Sequence, residues 1–153
     1  MYTIAPSTSA DIGSFKIEVL LTDGSLSSIY AFTITVVNTA PTFSSSLTAQ
    51  NVTLTNTIAY QLPTFSDPEG NTVTLDTMEK GLSSLPSFVS FDSKTWTYKI
   101  NPMASNLIGT TTTIQIVLSD SVLKSAFYFT IYVNNSAGSI ANTAPIFASN
   151  PED

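Results

Sequence analysis

The chain has no cysteine, no histidine and no arginine. Without cysteine there is no disulfide framework, so stability rests on a packed core. Without histidine or cysteine the usual general base and thiol nucleophile are both missing, and none of the many serines has a histidine partner. Five lysines stand against eleven acidic residues, for a net charge of −6. That balance repels nucleic-acid phosphates and anionic membrane surfaces, so neither is expected as a partner. No apolar run approaches the roughly 18 residues that a spanning helix needs. The start, "MYTIAPSTSADIG", carries neither the basic nor the apolar region of a secretory signal, which says nothing of a longer parent. No glycine-rich phosphate cradle is present.

What the chain does have is apolar residues and hydroxyls. It is 42% hydrophobic, enough for an ordinary core, and serine and threonine together number 45 against only 10% charged residues. A mean hydropathy of +0.22 argues against disorder. A surface built from hydroxyls suits β-rich extracellular proteins, in which threonine favours strands.

Alternation names the fold class. In "FKIEVLLTD", Phe15, Ile17, Val19 and Leu21 alternate with Lys16, Glu18, Leu20 and Thr22. "YAFTITV" puts Tyr30, Phe32, Ile34 and Val36 on one face, and a later pair of segments does the same with Ile114, Ile116 and Leu118, then Phe127, Phe129, Ile131 and Val133. Between them lie "IAYQL", "NTVTL", "SFVSF" and "TWTYKI", each bounded by turn residues such as "DPEGN", "GLSS" and "DSK". About seven short alternating strands at this spacing predict an all-β fold, an antiparallel Greek-key sandwich.

The sequence also repeats itself. "NTAPTF" (Asn38 to Phe43) returns as "NTAPIF" (Asn142 to Phe147), 104 residues later. "YTIAPSTSADIGSFK" aligns with "YKINPMASNLIGTTT", and after one inserted residue "IEVLLTDGSLSSIYAFTITVVN" aligns with "IQIVLSDSVLKSAFYFTIYVNN"; 16 of the 37 pairs are identical. A period this long is domain-sized. Residues 1–38 therefore read as the C-terminal part of one repeat, 39–135 as a complete repeat, and 136–153 as a linker and the first strand of a third. The chain reads as a window on a longer protein. Pro41 has no N–H and marks the entry of a new edge strand, with Phe43 ready to bury. The partial first repeat is expected to hold three strands, with Tyr30, Phe32, Ile34 and Val36 buried. Their face lacks an opposing sheet, so another chain or the rest of the parent is expected to cover it.

The middle stretch carries a family likeness. "FSDPEGNTVTL", then "LPSFVSFD" and "TWTY", then "GTTTTIQIVLSD" and "FYFTIYV" resemble a cadherin-like repeat of the dystroglycan type, with Phe88 where that family often has tryptophan. "NTAPTF" resembles the cadherin linker, although "VVNTAP" stands where cadherins carry several aspartates. The resemblance implies Ca²⁺ at the joints between repeats, held by carboxylates from both neighbours, because a hard cation takes six to eight oxygens. By position, Asp23 and Asn38 would come from the first repeat, with Asp67, Glu69 and Asn71 from the second. Asp120 and Asn135 would serve the next joint. The same aspartates also read as plain turn formers.

The function expected is a non-enzymatic structural or adhesive segment, extracellular or at the cell surface, whose partners are neighbouring copies of the same repeat in an end-to-end filament. A calcium-dependent adhesion module is one alternative. A carbohydrate-binding sandwich of a secreted protein, using Trp96, is the other, although such a tryptophan is more often half-buried core. The triplets at Asn51 and Asn134 are glycosylation sequons. Asp67 with Glu69 has the composition of a glycosidase acid pair, but neighbouring turn carboxylates are usually solvated.

Overall fold

The computed structural model describes residues 3–6 and 9–135. The expected linker and strand at 136–153, Phe147 included, lie outside the described residues. After a 3₁₀ turn at Ser9–Asp11, strands β1 (Gly13–Thr22) and β2 (Ser27–Val36) form an antiparallel hairpin, so the described residues before 39 supply two strands where three are expected. Residues 39–135 hold β3 (Thr42–Phe43), β4 (Gln50–Thr53), β5 (Ile58–Gln61), β6 (Phe65–Ser66), β7 (Thr74–Glu79), β8 (Val89–Asp92), β9 (Thr97–Ile100), β10 (Thr111–Ser119) and β11 (Lys124–Asn134).

These strands make a sandwich. One sheet has the order β4-β11-β10-β7 and the other β5-β9-β8, with β3 and β6 forming a short pair. All pairs are antiparallel except β4 with β11, which run parallel. The alternation in β10 is followed closely: Thr112, Ile114, Ile116 and Leu118 are buried and the residues between them are not. On β11, Phe129, Ile131 and Val133 are buried and Phe127 half-buried, as the period of two demands. The two sheets meet through rings. Phe129 packs edge-on against Tyr60 (5.0 Å) and Tyr98 (5.1 Å), and Tyr98 also meets Phe91 (4.6 Å). Tyr98 is fully buried, and its hydroxyl is satisfied by Thr77 Oγ1 at 2.6 Å.

The hairpin β1–β2 and the hairpin β10–β11 are the same object built twice. Ile17 pairs with Phe32, Val19 with Tyr30 and Leu21 with Ser28; at the matching positions Ile114 pairs with Phe129, Ile116 with Phe127 and Leu118 with Ser125. Phe15 opposite Ile34 matches Thr112 opposite Ile131. The extra residue of the second copy thus falls before its strand rather than at Thr113, where the sequence alignment had put it.

Their surroundings differ. Phe129 is 3% exposed, whereas Phe32 is 50% exposed and Tyr30 60%. The expected burial of Tyr30 and Phe32 is not met within this chain, and Ile34 and Val36 are only half-buried. The reason is the one the strand count suggested: no second sheet lies over this face among the described residues. An open groove along Phe15, Ile17, Ile34 and Val36 runs beside Ile4 instead.

Candidate functional site

The joint between the hairpin and the sandwich is where the candidate residues meet. Two turns of the sandwich build it. In the turn between β6 and β7, "DPEGN", Asp67 Oδ1 accepts the amides of Glu69 (3.0 Å) and Asn71 (3.1 Å), while the Gly70 amide donates to the Asp67 carbonyl (3.1 Å). Gly70 has φ of 79°, a left-handed value that glycine adopts without strain. In the turn between β10 and β11, Asp120 Oδ1 accepts the amides of Val122 (2.7 Å) and Leu123 (2.6 Å).

The linker plugs into both turns. Asn38 Nδ2 donates to Asp120 Oδ2 at 2.6 Å, Asn71 Nδ2 reaches Asn38 Oδ1 at 3.5 Å, and the Thr39 amide donates to Glu69 Oε2 at 3.1 Å. One step on, the Ser125 hydroxyl donates to the Pro41 carbonyl, and Phe43 packs edge-on against Phe127 at 4.9 Å. Pro41 is fully buried and Phe43 is 8% exposed. Asp67 and Asp120 are buried too, and Asp67 Oδ2 has no hydrogen-bond partner among the described residues. The Asn38 amide, then the Leu123 and Val122 amides, hold the Asp120 carboxyl below the usual carboxylate range.

This geometry reallocates the sequence candidates. Asn38, Asp67, Glu69 and Asn71 lie together at this joint, linked through the turn and the linker. Asp120 belongs to this joint and not to the next one. Asp23 does not reach it: its turn closes the other end of the hairpin, where Thr22 pairs with Ser27, while Val36 opposite Gly13 leads into the joint. Ten residues of strand separate the two ends, on the order of 30 Å. Asn135 follows the end of β11 opposite to Asp120's turn. The signal for Asp120 was available in strand direction. Ser119 pairs with Thr74 at the start of β7, so the loop before β7 and the turn after β10 must share an end. Among the described residues no three acidic side chains converge closely enough to hold a metal ion.

The remaining candidates sit elsewhere. Trp96 is half-buried, edge-on to Phe65 at 5.0 Å and tilted on Phe91 at 6.2 Å, so its ring is part of the core. Asn51 and Asn134 are both exposed, on the paired strands β4 and β11.

No protein-family model matches the sequence, and no curated protein does. Solved structures do resemble the fold. The extracellular domains 3–5 of Drosophila OTK align with a TM-score of 0.50 at 12% identity, over 84% of this chain and 41% of that one. Titin M4 aligns with a TM-score of 0.48 at 14% identity, over 65% of this chain and 100% of that one. An endo-fucoidan hydrolase from glycoside hydrolase family 107 aligns at 0.47 and 15% identity, over 84% of this chain and 20% of that one. This chain thus spans only a fifth of the hydrolase and about two fifths of the OTK fragment. At such identities the likeness bears on fold alone, and the fold is an immunoglobulin-like β-sandwich.

Proposed function

We propose that the chain is a non-enzymatic, extracellular repeat segment of a longer surface or filament-forming protein, in which cadherin-like sandwiches run in series and assemble end to end. The observation that supports this reading is the twin hairpin: one strand pair, in one register, occurs twice, and the linker after the first copy is clamped by Asn38 to the sandwich that contains the second. The mechanism is geometric. Sandwiches in series hold a fixed spacing, and the hydrogen bonds between neighbouring strands resist pulling. Stretching the whole chain by its ends should extend the sandwich in one step, from its folded span to about 330 Å, the extended length of residues 39–135. Gradual extension at low force, with no such step, would sink the proposal.

A second reading, a calcium-stiffened joint, is favoured by the partnerless buried oxygen of Asp67. Asp67, Glu69, Asp120 and the side-chain oxygen of Asn38 would have to close around the ion, because among the described residues no three acidic side chains stand close enough to hold one as they are placed. Asp120 and Glu69 already accept protein hydrogen bonds that such closing would give up, so only a low-affinity site is open to this set. At ten times Kd such a site stabilises the fold by about 1.4 kcal/mol. A melting temperature that stays level through several millimolar Ca²⁺ would remove this reading and leave the first intact.

A further inference from the structure

We infer that the open face of hairpin β1–β2 is a docking site for the segment Asn142 to Phe147 of a second copy of this chain. The inference deepens the end-to-end reading above by naming the segment that makes the contact. It rests on the sandwich, where the equivalent segment and the equivalent hairpin are seen together.

In the sandwich, the segment Asn38 to Phe43 makes three contacts with hairpin β10–β11. Asn38 donates to Asp120, the Pro41 carbonyl accepts from Ser125, and Phe43 packs its ring edge-on against Phe127. The register that equates the two hairpins places Asp23 at Asp120, Ser28 at Ser125 and Tyr30 at Phe127. All three receptor positions therefore exist on β1–β2. Asp23 even repeats the turn of Asp120, its Oδ1 accepting the amides of Ser25 (2.9 Å) and Leu26 (2.8 Å). The donor positions also exist a second time, as Asn142, Pro145 and Phe147 in "NTAPIF".

On the first hairpin the receptor positions are open among the described residues. Tyr30 is 60% exposed, Leu26 77%, and a shallow groove of about 290 Å³ runs along Leu21, Thr22, Asp23, Leu26, Ser27 and Ser28, where Asn142 to Pro145 would lie. Seven residues separate the end of β11 from the second motif, against one after β2, which gives the segment reach away from its own sandwich. Docking one copy's segment on the next copy's hairpin is a head-to-tail contact, and such contacts propagate into rings or open filaments.

The test uses the full chain in two variants. Sedimentation should show the unaltered chain growing in mass with concentration. Phe147→Ser, which lacks the donor ring, and Tyr30→Ser, which lacks the receptor ring, should each stay monomeric. Mixed in equal amounts they should form a one-to-one dimer and stop there. A labelled peptide of residues 140–153 should bind the Phe147→Ser chain and lose affinity on the order of tenfold or more for a chain also carrying Tyr30→Ser. Association that survives Phe147→Ser but not Tyr30→Ser means that two hairpins pair face to face, which overturns the inference and spares the repeat reading. A monomer that still binds the peptide means that the segment folds back on its own chain, and a monomer that does not bind it removes the docking site; both overturn the inference. The stretching experiment judges the repeat reading independently of either.

Discussion

Asp120 shows how much one side chain carries at the joint. Its two oxygens accept two turn amides and the linker's Asn38, and these bonds favour the ionised carboxylate. A folded value below the unfolded one, 3.8, means that the unfolded chain binds protons first as the medium acidifies. The stability from Asp120 is therefore present above that value and lost as pH falls through the lower folded value. Melting temperature followed from neutral pH into acid should stay level and then fall, and Asp120→Asn should make the fall shallower. Asp23 and Asp92 are held low by the amides of their own turns, so part of the acid limb will remain. Superimposable limbs for the two proteins would show that the Asn38 contact does not form.

Tyr98 gives the opposite limb. Burial raises its phenol above the ordinary value of 10, so the folded state keeps a proton that the unfolded chain releases. Its stabilising share is complete below about pH 10 and is lost as pH rises above that. Tyr98→Phe should flatten the alkaline fall at a cost of about 1 kcal/mol in neutral solution, because Thr77 Oγ1 retains the Gln115 carbonyl at 3.3 Å. A neutral-pH cost near zero would mean that the Thr77 bond is absent, and an unchanged alkaline limb would mean that the phenol is not buried.

At the scale of the element, the twin hairpins offer an internal control. Phe129 and Phe32 share sequence context and register, and differ in what lies over them. Phe129→Ala opens a hole between Tyr60 and Tyr98 and should cost about 3 to 5 kcal/mol in a chemical denaturation midpoint. Phe32→Ala, on an open face, should cost less than about 1 kcal/mol. Equal costs would mean that Phe32 is covered in solution.

The same comparison shows what was legible in the sequence. Alternation from Ile114 to Leu118 and from Phe127 to Val133 located strands and their buried faces, because a period of two has one meaning on a half-buried sheet. The short strands β3 and β6, two residues each, left no period to read, and the parallel partner of β11, β4, carried only "QNVT". At the joint, the turn chemistry of "DPEGN" and of Asp120 was readable. Which turns share an end is decided by the antiparallel pairing of β7 with β10, which the turn residues themselves do not carry. Whether Tyr30 and Phe32 are buried could not come from alternation, which names a face and not what covers it.

For the whole molecule, the consequence is an uneven distribution of stability. The sandwich closes two sheets over twelve buried apolar residues, and opening β10 or β11 must disrupt that core. The hairpin β1–β2 has its own ladder of cross-strand bonds but only one apolar face, turned to solvent, and a two-stranded ribbon of that kind is marginally stable in water. The clamp at Asn38 and Thr39 ties it to the sandwich at one end without covering it. Hydrogen exchange in dilute solution should therefore separate the twins. Amides of Ile114, Ile116, Phe129 and Ile131 should exchange only through global unfolding, with rates that follow denaturant steeply. Those of Ile17, Val19, Phe32 and Ile34 should exchange through local opening, orders of magnitude faster and almost indifferent to denaturant. If the proposed docking of a second copy takes place, raising the protein concentration should slow the second set alone. Equal protection of both hairpins in a dilute monomer would show that β1–β2 is stable as it stands, with no need of a covering segment.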